Sequence, residues 1–193
     1  IAAETKIDSQ RLRRGQLAEH EMPIFLEAVG RLSETKVFID DTPSITTNQL
    51  RTKCRRLYAE HGLDLILIDY LQLMSGPENA GSREQEVSNI SRSLKSIAKE
   101  LNVPILALSQ LNRSVEMRGG TKRPLLSDLR ESGAIEQDAD MVVFIHRQEK
   151  FGIPAFEDGS STKGVAEIIL AKNRNGPVDD VRLRFREEKA QFV

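Results

Sequence analysis

Hydrophobic positions along this chain follow two rhythms, helical spacing of three to four residues and short unbroken runs. Ile1 to Arg14 has helical character up to Gly15, and Gln16 to Leu32 carries a second helical pattern with Leu17, Phe25, Leu26 and Val29 on its apolar side and Pro23 near its start. Lys36-Val37-Phe38-Ile39-Asp40 then reads as a short strand. Thr46 and Gln49 stand three apart, the spacing at which each side chain satisfies the other residue's backbone N–H. They predict a helix with Leu50, Cys54, Leu57 and Tyr58 on its apolar side, ending at Gly62. Leu65-Ile66-Leu67-Ile68 is a continuous apolar run between Asp64 and Asp69, the pattern of a strand buried on both faces under helices. Ser82 and Gln85 repeat the capping spacing, and Val87, Ile90, Leu94, Ile97, Ala98 and Leu101 then recur on one helical face.

Val103 to Ser109, Met141 to His146 and Val165 to Ala171 are further apolar strands, with Pro104 at an entry position where a missing N–H is tolerated. Val181 to Phe185 alternates like a half-exposed last strand. Residues 75–81 and 149–164 lack periodicity and are expected to be mobile loops. The alternation of strands and helices predicts an α/β fold with a mostly parallel sheet, in one domain spanning residues 1–193.

Composition narrows the function classes. Lys plus Arg total 28 and Asp plus Glu 29, a net charge of −1, which excludes a polybasic protein held to nucleic acid by bulk charge. With 39% hydrophobic and 30% charged residues and no long apolar run, the chain is expected to be soluble, with no membrane contact. The single cysteine, Cys54, forms no internal disulfide, and no secretory leader pattern opens the chain, so the cytoplasm is the expected compartment. The first residues carry neither a methionine nor a cap, so the chain is expected to begin inside a fold. His20, His61 and His146 are scattered without ligand spacing, and no structural metal is expected. Arg51, Lys53, Arg55 and Arg56 read as the solvated side of their helix.

Four places could carry chemistry. Asp69 ends the most apolar strand, where the crevice of an α/β sheet opens. It either orients a magnesium ion beside nucleotide phosphates or simply ends the strand. Ser109-Gln110 also follows a buried strand. The Gln110 amide either senses a phosphate or satisfies local backbone groups. Ser127 caps a segment holding Arg130, Glu131 and Gly133, which is either a short helix with a solvated face or a phosphate-contacting loop. Lys172 and Arg174 precede the turn Asn175-Gly176-Pro177, as solvated charges or as cations reaching a neighbouring subunit's phosphate.

The string Leu65-Ile66-Leu67-Ile68-Asp69-Tyr70-Leu71-Gln72-Leu73-Met74 closely resembles the Walker B segment of bacterial replicative DNA helicases of the DnaB family. Collinear strings agree: Val37 to Pro43, Ala107 to Arg113, Ser127 to Gly133 and Ala171 to Pro177, so that the resemblance covers nearly the whole chain. It implies a RecA-like α/β motor, a mostly parallel sheet flanked by helices, and a homohexameric ring that uses ATP and Mg2+ to translocate 5′ to 3′ on single-stranded DNA. Primase and a helicase loader are its implied partners. Asp69 then matches the magnesium-side carboxylate, Gln110 the residue coupling nucleotide state to the DNA loop, and Arg174 the arginine finger with Lys172 as companion. Arg130, Glu131 and Gly133 match positions that line the channel and hold the strand by its backbone. Phe 7, Tyr 2 and Trp 0 leave few aromatics for base stacking, which favours backbone tracking.

The chain departs from the family at one point. A phosphate loop needs a Gly-Lys pair, and none occurs in these 193 residues. The domain is therefore expected to be N-terminally incomplete, with negligible ATP hydrolysis by this polypeptide alone. The alternatives are another RecA-like ring ATPase, such as a recombinase, and a truncated non-catalytic DNA-binding or assembly module.

Overall fold

Helix α4 (Thr47–His61) shows how local chemistry starts this fold. The Thr46 hydroxyl accepts a hydrogen bond from Gln49 N at 3.3 Å and Gln49 Oε1 accepts from Thr46 N at 2.9 Å, so the expected box closes from both sides. Gly62, at φ +76°, ends the helix in a conformation that a side chain disfavours. The computed structural model describes residues 1–76 and 81–193, and of residues 130–133 the backbone only. The expected loop 75–81 thus lies mostly outside the described residues.

Two compact units are present. One comprises Asp41–Phe144 and Ile169–Asp179, the other Ile1–Asp40, Ile145–Ile168 and Asp180–Val193. In the first, β1 (Ile66–Ile68) pairs in parallel with β2 (Ile105–Ala107), Ile66 opposite Ile105 and Ile68 opposite Ala107. Helix α5 (Arg83–Leu101) connects them, the crossover that parallel strands require. Its Ile90, Leu94, Ile97 and Leu101 pack with Cys54, Ile66, Ile68, Leu71, Met74 and Val103 into one core. The Ser82 hydroxyl caps α5 through Gln85 N, while Gln85 Oε1 turns to Gly81 N at 3.1 Å, so the second expected box closes from one side.

Leu67 is 59% exposed and Leu106 51%, so β1 and β2 bury one face rather than the two expected. Ile66 and Ile68 share a face by the two-residue period of a strand. That is the face turned to α4 and α5, whose residues fill the same core. A smaller cluster of Leu129, Val142, Phe144 and Ile169 forms elsewhere in this unit.

The remaining strands form a second sheet in the order β3 (Met141–His146), β4 (Val165–Asn173), β5 (Asp179–Arg186) and β6 (Gln191–Phe192). β5 and β6 run antiparallel, with Phe185 opposite Phe192. The α/β class holds, with the parallel pairing in β1 and β2. Hydrophobic runs alone did not reveal that the strands divide between two sheets.

In the other unit the expected continuous helix 1–14 is two short ones, α1 (Ala2–Thr5) and α2 (Ser9–Arg13). Lys6 turns the chain at φ +61°, and the Asp8 carboxylate accepts from Gln10 N and Arg11 N to restart it. Helix α3 (Glu21–Ser33) begins at Glu21 rather than Gln16 and places Pro23 in its first turn, where no helical N–H partner exists to lose. Residues 36–40 are not a strand. Ile39 is 89% exposed there, and an apolar run becomes a strand only when a neighbouring edge pairs with its backbone. Segment 149–164 makes its own contacts: Phe156 and Thr162 are buried, the Thr162 hydroxyl donates to Ile153 O at 2.5 Å, and Gly164 N donates to Glu149 Oε2 at 2.8 Å.

Candidate functional site

The parallel ladder continues past β1 and β2, because Leu108 N donates to Ile68 O and Leu71 N to Leu108 O, both at 2.9 Å. Two parallel strands joined this way end at the same edge, so Asp69 and Ser109-Gln110 emerge beside one another, with Asp69 and Gln110 exposed. After Asp69 the chain makes a short 3-10 turn, Leu71–Leu73, whose Leu71 is buried in the core. That anchor presents Gln72 to the exit of β2. Its Nε2 donates to Ser109 Oγ at 3.0 Å and to Gln110 O at 3.3 Å, and its Oε1 accepts from Gln110 N at 3.2 Å. Gln72 therefore fixes the backbone that carries Gln110. In the sequence Gln72 is only a carboxamide flanked by leucines, and that pattern does not distinguish it as a functional residue.

Arg83 and Glu86 tie the start of α5 to the same turn. Arg83 Nη2 donates to Gln72 O at 2.6 Å and pairs with Glu86, which accepts from Gly76 N at 2.7 Å. The Gly76 N–H and then the Arg83 guanidinium hold the Glu86 carboxyl below the usual carboxylate range, against the effect of burial.

Lys172 and Arg174 form a second cluster. After the short α6 (Ser114–Met117), α7 (Gly133–Asp138) packs on α5, and Lys172 Nζ donates to its Glu136 O at 2.5 Å while Arg174 Nη2 donates to its Gln137 O at 2.9 Å. Arg174 Nη1 lies 3.5 Å from Asp140 Oδ1, and Arg174 N donates to Asp140 O at 2.8 Å. The other carboxylate oxygen of Asp140 pairs with Lys95 of α5. Asp140 is held below the usual carboxylate range, first by the Lys95 hydrogen bond and then by the charges of Lys95, Arg174 and Lys172, against its desolvation. The two cations thus sit on the negative, carbonyl end of α7.

Arg130, Glu131 and Gly133 lie where the 3-10 segment Leu126–Ser132 meets α7, and their side chains fall outside the described residues. The approach to this segment is well held. Leu129 is buried, and Asp128, rather than the expected Ser127, organises the turn by accepting from Leu125 N at 2.7 Å and from the Arg118 guanidinium. Asn112 N, two residues beyond Gln110, donates to Asp128 O at 3.2 Å. The exit of β2 is therefore joined directly to the segment that carries Arg130.

Asp69, one exposed carboxylate at a rigid strand end, suits Mg2+, which keeps most of its water and takes one or two carboxylates plus substrate phosphates. An exposed amide such as Gln110 beside it offers both a donor and an acceptor to a phosphate or its attacking water.

The whole chain, residues 1–193, matches the model of the DnaB-like helicase C terminal domain. It is 50% identical over 194 residues to the replicative DNA helicase DnaC of Bacillus subtilis, covering 100% of this chain and 41% of that protein. It is 48% identical over 195 residues to the replicative DNA helicase DnaB of Haemophilus influenzae, covering 100% of this chain and 40% of that protein. Among solved structures it superimposes with a TM-score of 0.89 and 38% identity on a DnaB-like replicative helicase described with its interactions with primase, covering 100% of this chain and 45% of that one. The chain thus spans less than half the length of each of these relatives. With a RecA-like α/β fold and a family match along its entire length, the chain belongs to the DnaB-like helicase C-terminal domain family.

Proposed function

We propose that this chain is the C-terminal part of an ATP-dependent replicative DNA helicase, a homohexameric ring that moves 5′ to 3′ on single-stranded DNA and unwinds duplex. In this reading ATP and Mg2+ lie at the edge bearing Asp69, which orients the ion; the bound ion would neutralise phosphate charge. Gln110 meets the terminal phosphate or its water, and Lys172 and Arg174 act on the nucleotide of an adjacent subunit. Arg130, Glu131 and Gly133 hold the strand by its backbone. The phosphate-gripping loop belongs to the rest of the protein, since no Gly-Lys pair occurs in this chain, and hydrolysis is a property of the intact ring. Primase and a helicase loader are its proposed partners and the cytoplasm its proposed compartment; among the described residues no helix is long and apolar enough to cross a membrane.

The observation that carries this reading is a path of hydrogen bonds joined by short stretches of chain. It runs from the turn after Asp69 through Gln72 to Ser109 and Gln110, and from Asn112 through Asp128 to the segment with Arg130. A change in contact at Gln110 has a direct route to the strand-holding segment. The test is Arg174→Ala in the intact ring. Ring assembly and circular dichroism are expected to be preserved and most DNA-stimulated ATP hydrolysis lost; normal turnover would exclude the finger role.

A further inference from the structure

The cations Lys172 and Arg174 already have acceptors within their own chain. Lys172 Nζ is 2.5 Å from Glu136 O, Arg174 Nη2 is 2.9 Å from Gln137 O, and Arg174 Nη1 is 3.5 Å from Asp140 Oδ1. The last carbonyls of a helix carry partial negative charge, and Asp140 adds a full one. The N–H groups engaged there must leave those acceptors before they can donate to the phosphate of a neighbour's nucleotide. α7 is also continuous in the chain with the segment Leu126–Ser132, so whatever draws the cations away releases the end of the helix that follows the strand-holding residues.

We infer that Asp140 and the Glu136 and Gln137 carbonyls form a parking site for Lys172 and Arg174, and that exchange of these cations between α7 and a neighbour's nucleotide phosphate carries nucleotide state to the DNA-holding segment. Asp140 is then a positioning residue, acting through Arg174. Lys95 pairs with the other oxygen of the Asp140 carboxylate and offsets part of its charge, which makes the hold on Arg174 adjustable in both directions. This inference rests on the reading of Lys172 and Arg174 as trans-acting cations.

Because coupling between two ligands is reciprocal, it is read as the ratio of single-strand affinities with and without nucleotide. In the intact ring, the affinity of a fluorescent deoxythymidine oligonucleotide is measured by anisotropy with and without adenylyl imidodiphosphate, whose own affinity is measured separately. Arg174 and Asp140 side chains are each 51% exposed, so the pair's contribution is a surface one, about two- to fivefold in an equilibrium constant. Asp140→Asn is expected to tighten binding of the nucleotide analogue by about that factor and to lower the DNA coupling ratio by a similar one. Asp140→Glu, which restores the charge, should restore both.

Lys95→Met removes the charge that offsets Asp140 and is expected to weaken analogue binding, opposite in sign to Asp140→Asn. General loosening of the domain cannot produce opposite signs. Unchanged coupling in both variants, or shifts of the same sign, would overturn the parking site. If Asp140→Asn does not assemble, the Lys95→Met and Asp140→Glu rings carry the same decision. Normal turnover in Arg174→Ala would defeat the parent reading of the finger. Loss of turnover there, with no change in coupling in the Asp140 and Lys95 variants, would defeat the parking site alone.

Discussion

Replacing Gln72 with alanine tests how Gln110 is held. The Gln72 carboxamide makes three hydrogen bonds to Ser109 and Gln110, at 3.0, 3.3 and 3.2 Å. A protein hydrogen bond contributes about 1 kcal/mol net, and at this open edge water replaces part of what is lost. The truncation should therefore cost about 1–2 kcal/mol locally, a factor of roughly 5–30 in the opening equilibrium of the β2 exit. Hydrogen exchange of the Gln110 amide, which donates to Gln72 Oε1, reads that factor directly. Gln72→Glu keeps the acceptor for this amide and removes the two donated bonds, so its protection should be intermediate. On the proposed contact of Gln110 with phosphate, DNA-stimulated turnover of the intact ring should fall on the order of tenfold or more in Gln72→Ala, since small displacements of such a group are costly. If Gln110 exchanges at the same rate in the wild type and Gln72→Ala, the clasp does not hold that backbone and the path from Asp69 to Asp128 is broken at its first link.

Two further outcomes follow from the packing and the electrostatics. Ile90, fully buried in the α5 core, should cost about 2–5 kcal/mol when cut to alanine but only about 0.5–1.5 kcal/mol as Ile90→Val, seen as a graded fall in the urea unfolding midpoint; equal midpoints would contradict the core assignment. The Asp158 carboxyl is pushed down from 3.8 to about 2, first by the Ser160 hydroxyl, then by Ser160 N and by Arg182. A depressed carboxylate contributes to folding fully above its unfolded value and loses that contribution as pH falls through its folded one, so its turn should weaken between about 3.8 and 2. An NMR titration should find the midpoint moved up in Ser160→Ala; an unmoved midpoint would remove the hydroxyl as the leading cause.

What was legible in the sequence is what local chemistry decides. The Thr46 and Gln49 pair, the spacing from Val87 to Leu101 and the apolar runs around Ile66 and Ile105 carry their own structural signals, and α4, α5, β1 and β2 lie where those signals put them. Residues 36–40 show the limit: their apolar run depends on a partner edge that its own residues cannot specify. The division of the strands between two sheets was hidden for the same reason, since pairing joins residues distant in sequence. At the site, the residue types and positions of Asp69, Gln110, Lys172 and Arg174 are legible in the sequence. Those of Gln72 and Asp140 are not, because their importance comes from what folding brings to them: Ser109 and Gln110 to one, Lys95 and Arg174 to the other.

The order of elements along the chain also has a consequence for biogenesis. α4, β1, α5 and β2 follow one another in chain order, so the edge bearing Asp69 and Gln110 is encoded in one stretch, residues 47–110. The partners of α7's carbonyls come from the far end of β4, and emerge from the ribosome only after that stretch has been made. Domains fold as units from the N-terminal side during synthesis. On the proposed roles, a nascent chain therefore completes the edge that faces its own nucleotide before it acquires the cations that reach toward a neighbour's.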